Sequence, residues 1–201
     1  MKKIFSLMAI LFLTVGLFGC GTPKPEPVVE KFCESLKTFD IETINSLLVN
    51  GSEENTLEES ENLRNEELVN IFTQFNDEIK YQLIETTMAE DKESAQISVE
   101  FEYVDAYNVG AEAFTLIITE ALTRALGGIE VTEEDMLDIM AASYQAALEE
   151  KETAMTKTIV TFDLALVENE WKILEAPYEI LHVATANFLK PMEDGLGDSE
   201  E

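Results

Sequence analysis

Basic residues are scarce. Only 13 lysines and arginines stand against 41 aspartates and glutamates in 201 residues, a formal net charge of −28. Binding to DNA or RNA rests on clustered lysine and arginine facing the phosphates, and no such cluster occurs, so nucleic acid is excluded as a partner. Histidine is limited to His182, which rules out a histidine-based metal cluster or a relay between histidines and leaves any serine triad dependent on one ring. No zinc-ligand spacing is present, and Gly127-Gly128 lacks the companion glycines and following lysine of a phosphate loop. Glu53, Glu54, Glu58, Glu59 and Glu61 do not follow the alternating aspartate pattern of a calcium loop and read as a solvated acidic segment. No metal and no cofactor is expected. A long hydrophobic run is missing too. The longest, residues 4–18, is interrupted by Ser6, Thr14 and Gly16 and falls short of the roughly 20 apolar residues that span a bilayer.

That run follows Met1-Lys2-Lys3, so the start of the chain has the positive n-region and apolar h-region of a secretory signal. It ends on Leu17-Phe18-Gly19-Cys20. Here the chain resembles bacterial lipoprotein precursors of the Gram-positive type, whose lipobox is an aliphatic residue, a variable one, a small one and cysteine. The resemblance implies a diacylglycerol, with chains of the palmitate kind, on the thiol of Cys20, and cleavage between Gly19 and Cys20. Two or more acyl chains hold a protein stably at a membrane surface where one holds it only marginally. The implied location is the extracytoplasmic face of a cell membrane, with the membrane itself as partner through Cys20. Cys33 is then the one remaining thiol, and no intrachain disulfide can form. Its helical spacing with Val29, Phe32 and Leu36 marks it as a small buried hydrophobe.

Residues 1–19 are thus expected to be a signal peptide, 20–26 a lipidated cysteine with a proline-rich spacer, 27–190 a single α+β domain and 191–201 an acidic disordered tail. Within the domain, helical period predicts helices over 27–38, from Asp40 to about Asn50-Gly51, and over 65–76. Period-two alternation then takes over. Ile79, Tyr81 and Leu83 pair with Ala95 to Tyr103 across a turn at residues 90–93, and Val160 to Leu166 turn through Glu168-Asn169-Glu170 into Trp171. Between the two β-hairpins lies a helical insertion, residues 107–150. Ala113, Phe114, Ile117, Ala121, Leu122 and Ala125 mark its first helix, and Thr132 caps its second. A last helix is expected over 178–189.

Helices followed by hairpins argue for an α+β fold with N-terminal helices packed on a curved antiparallel sheet, and a helical hairpin inserted between two β-hairpins. This order, carried by Val28 to Leu48, the Tyr81 to Tyr103 hairpin and Glu170-Trp171-Lys172-Ile173, resembles the nuclear-transport-factor-like cone. The resemblance implies a bent sheet wrapped on helices, a design shared by ketosteroid isomerases and by small Gram-positive lipoproteins with uncharacterised domains.

A catalyst on such a cone needs a carboxylate opposite a phenol in an apolar pocket. Tyr81, Tyr103 and Asp105 are the residues placed to line one, although two tyrosines in register with core residues also suit simple packing. The reading that fits best is a lipid-anchored, non-enzymatic binding or interaction module for a protein or a small apolar ligand. The alternatives are a small isomerase or hydratase using Tyr81, Tyr103 or Asp105, and a structural subunit of a membrane complex that docks through the apolar Phe114 to Leu126 helix.

Overall fold

Proline is tolerated in the first turn of a helix because its missing N–H has no partner there anyway. Pro25 and Pro27 accordingly open α1 (Glu26–Lys37), whose Val29, Phe32, Cys33 and Leu36 form one buried face. The computed structural model of the protein describes residues 23–49 and 66–197. Residues 1–22, with Gly19 and Cys20, the acidic segment 50–65 and residues 198–201 lie outside them. Phe39, at φ 52°, turns the chain, and Asp40 caps α2 (Ile41–Leu47) by accepting from the Thr43 N–H at 3.0 Å. α2 stops where Leu48 becomes extended and bridges Ile173, with the Val49 N–H donating to the Ile173 carbonyl at 2.8 Å. The Asn50-Gly51 stop expected from the sequence lies outside the described residues.

Four strands, β1 (Lys80–Met88), β2 (Ser94–Asp105), β3 (Ala154–Val167) and β4 (Glu170–Ile173), form an antiparallel sheet in the order β1-β2-β3-β4. Alternation sends Ala95, Ile97, Val99, Phe101 and Tyr103 of β2 and Val160, Phe162 and Leu164 of β3 to one buried face. The other face is solvated. There Gln96 donates to Asp163 at 2.7 Å, Ser98 and Thr161 share a hydrogen bond, and Lys157 lies 2.9 Å from Glu100 and 3.4 Å from Glu102. β1 and β3 both run further than the sequence pattern shows. A bulge between Leu83 and Glu85 breaks the phase of β1, and residues 154–159 of β3 place threonines, not large apolar side chains, on the inner face.

The insertion at 107–150 is present as α4 (Tyr107–Leu126) and α5 (Glu133–Glu150). A capping box starts α5: the Asp135 N–H donates to Thr132 Oγ1 at 3.2 Å, and the Thr132 N–H donates to Asp135 Oδ2 at 3.0 Å. Two apolar clusters result. One lies between the sheet and α1, α2 and α6 (Glu179–Ala184), and includes Phe32, Phe101, Phe162, Trp171, Ile173 and Val183. The other joins α3 (Glu66–Asn76) to the base of the α4–α5 hairpin through Phe72, Val109, Ala113, Tyr144, Ala147 and Phe188. Asn76, wholly buried, spans the helices by donating from Nδ2 to the Leu36 carbonyl at 3.0 Å. This is the α+β architecture the sequence implies; strand order alone does not assign it to the cone family.

The C-terminal part differs from expectation. A single helix over 178–189 does not form, because Ala186 and Asn187 take left-handed backbone, φ 52° and 58°, and the helix ends at Ala184. The tail expected to be disordered from 191 is helical over α7 (Lys190–Gly197). Pro191 suits a first turn, Glu193 lies in that turn where the helix dipole favours negative charge, and Tyr107 donates to Asp194 Oδ2 at 3.1 Å, which ties the helix down.

Candidate functional site

Of the residues expected to line a pocket, Tyr81 stands on β1 opposite Phe101, half-buried, and its hydroxyl donates to Glu34 Oε1 on α1 at 2.8 Å. Burial, then that hydrogen bond and the Glu34 charge, hold its pKa well above the ordinary phenol range. Tyr103 is buried on the inner face of β2 and donates to Asn187 Oδ1 at 3.3 Å; burial again raises its pKa. Asp105 Oδ1 accepts from Asn187 Nδ2 and from the Tyr107 N–H, both at 3.1 Å. Tyr103 and Asp105 therefore meet through Asn187, and Tyr81 is tied to a different helix. The triple Tyr103–Asn187–Asp105 braces the 185–189 turn against the β2–α4 junction, where the Ala106 N–H also donates to the Ala186 carbonyl at 2.8 Å. Sequence reasoning missed Asn187. An asparagine inside a presumed helix carries no signal, although its tolerance of left-handed backbone is the property used here.

Cys33 is buried in the first cluster, and burial followed by the charges of Glu34 and Glu30 pushes its thiol up to about 12. A thiol so rarely ionised is a poor nucleophile. Thiol labelling of the folded protein at neutral pH should leave Cys33 unmodified, with rapid labelling only after denaturation; fast native labelling would contradict the packing of α1. His182 lies edge-on to the Tyr178 ring at 5.1 Å, with Nε2 3.6 Å from Glu193 Oε2 and Nδ1 without a partner. Among the described residues no group of three histidine, cysteine or acidic side chains is arranged to hold a metal ion.

Two open grooves mark the helical layer. One, of about 470 Å³, lies between α3 and α5 and is lined by Asn70, Ile71, Gln74, Asp138 and Gln145. The other, of about 550 Å³, lies at the base of the α4–α5 hairpin beside Asn108, Glu112, Thr115 and Lys151. Lys151 is held there by Glu112 and Glu150 at 3.0 and 3.1 Å. Tyr81, Tyr103 and Asp105 line neither groove.

No protein-family model and no curated protein matches this chain. Among solved structures it is similar to a candidate lipoprotein (ycdA) from Bacillus subtilis subsp. subtilis str. 168, at 16% identity and a TM-score of 0.39. The similarity covers 82% of this chain but 47% of the other, so the chain spans about half the length of that protein. At so low a TM-score the likeness bears on neither fold nor role.

The most distinctive surface is the far end of the helical hairpin. Ile118, Leu122 and Leu126, at i, i+4 and i+8 on α4, are 41%, 57% and 89% exposed, and Ile129 just beyond the turn is 58% exposed. Leu122 and Ala125, which helped mark this helix in the sequence, thus face solvent. Thr115, Thr119 and Thr123 form a parallel row, each donating its hydroxyl to the carbonyl four residues back at 2.7–2.9 Å, so this row spends its hydroxyls within the helix. Arg124 is held by Glu120 Oε1 at 2.8 Å and Asp135 Oδ1 at 3.4 Å. The arrangement offers apolar area without charge along one helix face.

Proposed function

We propose that the protein is a lipid-anchored, extracytoplasmic binding module, fastened to a cell membrane through diacylglycerol on Cys20, that engages a partner instead of transforming a substrate. The observation that carries the binding role is the exposed apolar row on α4, since clustered apolar area in water marks a surface meant to be covered. Support also comes from the polar candidates, because Tyr81, Tyr103 and Asp105 each have fixed partners within the fold. Anchoring is supported by Lys2-Lys3, the apolar stretch and Leu17-Phe18-Gly19-Cys20 in register. The nuclear-transport-factor-like relationship belongs to this proposal too, supported by N-terminal helices laid on one face of an antiparallel sheet.

Detergent phase separation tests the anchor. Wild-type protein expressed with its leader in a Gram-positive host should enter the detergent phase, and Cys20→Ala should move to the aqueous phase or be retained as the uncleaved precursor. Equal partitioning of the two mature forms would defeat the proposal.

A further inference from the structure

We infer that the tip of the α4–α5 hairpin docks an amphipathic, basic segment of a partner protein, with the partner's apolar stripe on Ile118, Leu122, Leu126 and Ile129 and its lysines or arginines at the acidic rim beside Glu130. The inference deepens the binding role proposed above and rests on it.

Charge complementarity identifies the partner. Between Tyr107 and Glu150 the sequence has one basic residue, Arg124, against nine acidic ones. That cation is already engaged by Glu120 and Asp135. Glu130, at the tip beside Ile129, is exposed. A covering surface must therefore be apolar at its centre and positive at its rim, and the net charge of −28 would draw such a partner in from a distance. A second copy of the chain brings the same negative charge to the same rim. An anionic bilayer is repelled likewise, and Pro23, where the described chain begins, lies far from the base of the hairpin. Pro23, the first described residue, accepts from Trp171 Nε1, and Trp171 pairs with Leu166 at the turn end of the sheet. The hairpin leaves from the other end, after Asp105, which pairs with Ala154. From Leu166 to Ala154 is about 40 Å of strand at roughly 3.3 Å per residue, so Pro23 and the base of the hairpin occupy opposite ends of the sheet.

The full chain, reconstituted in phosphatidylcholine vesicles, is titrated with a synthetic helical peptide bearing leucines at i, i+3, i+4 and i+7 and lysines elsewhere, with binding to protein-free vesicles subtracted. Saturable binding is expected, weakened as salt rises. Leu122→Ser with Leu126→Ser, which leaves the charge unchanged, should weaken it roughly tenfold or more. A peptide of the same composition in scrambled order, and one with glutamate for lysine, should fail to bind. The variant should melt with the wild type, because both leucines are exposed. Equal affinity of variant and wild type, or equal binding of the scrambled peptide, would overturn the inference. So would efficient disulfide-linked dimers of Leu126→Cys, which would assign the face to a second copy. The Cys20→Ala partition is read separately, so failure here leaves the anchor unaffected.

Discussion

Trp171→Ala is expected to lower folding stability by about 3 to 5 kcal/mol, the range for truncating a buried aromatic side chain. The indole is 6% exposed and closes the β4 edge of the first cluster beside Ile173 and Leu166. Its Nε1–H also donates to the Pro23 carbonyl at 2.6 Å, so the same side chain fastens the N-terminal spacer to the sheet. Trp171→Phe separates the two roles: most of the ring remains, and the lost hydrogen bond should cost about 1 kcal/mol. Trp171 is the only tryptophan, so urea unfolding should be followed by circular dichroism. An alanine variant within a few tenths of a kcal/mol of wild type would show that the indole does not close the core.

Gly110→Ala should destabilise the protein although it lies inside a helix. By helix propensity alone, the change should stabilise by about 1 kcal/mol. Tertiary contact opposes it. A Cβ on Gly110 would lie 2.1 Å from the Phe188 carbonyl oxygen and 2.9 Å from its carbon, and both are backbone atoms that cannot swing aside. Overpacking of this kind costs about 3 kcal/mol at the upper end of its usual range, so a net loss of roughly 2 kcal/mol is expected. For a chain of this size that lowers the melting temperature by about 4 to 8 °C. A melting temperature equal to or above the wild type would mean that α4 and the 185–189 turn do not meet so closely.

The helices and strands were legible where one face is buried and the other wet. Val29, Phe32, Cys33 and Leu36 show helical period, and Ala95 to Tyr103 alternate, because each element buries a single face. The reading failed where that condition lapsed. β1 loses its phase at the bulge after Leu83, and the left-handed residues Ala186 and Asn187 have no periodic signature. α7 was obscured by acidic composition, since its ties to Tyr107 and His182 come from residues distant in the chain.

The candidate site was less legible still. Tyr81, Tyr103 and Asp105 are close in sequence register, but whether they converge depends on which third residue reaches them. Asn187 joins two of them, and Glu34 takes the other. The apolar residues of α4 were visible in the sequence, yet periodicity alone could not separate Ala113, buried in one cluster with Tyr144 and Phe188, from Leu122, which is more than half exposed.

By itself the sequence determined the elements that bury a single face, the α+β class, the acidic composition and the expectation of a lipid tether at Cys20, because composition and local period act through neighbouring residues. Tertiary structure alone decided that Asn187 and Glu34 occupy the polar candidates, that position 110 is best served by glycine and that the tip of α4 is left exposed among the described residues. Each of those depends on contacts between segments far apart in the chain, or on their absence, and no local pattern records them.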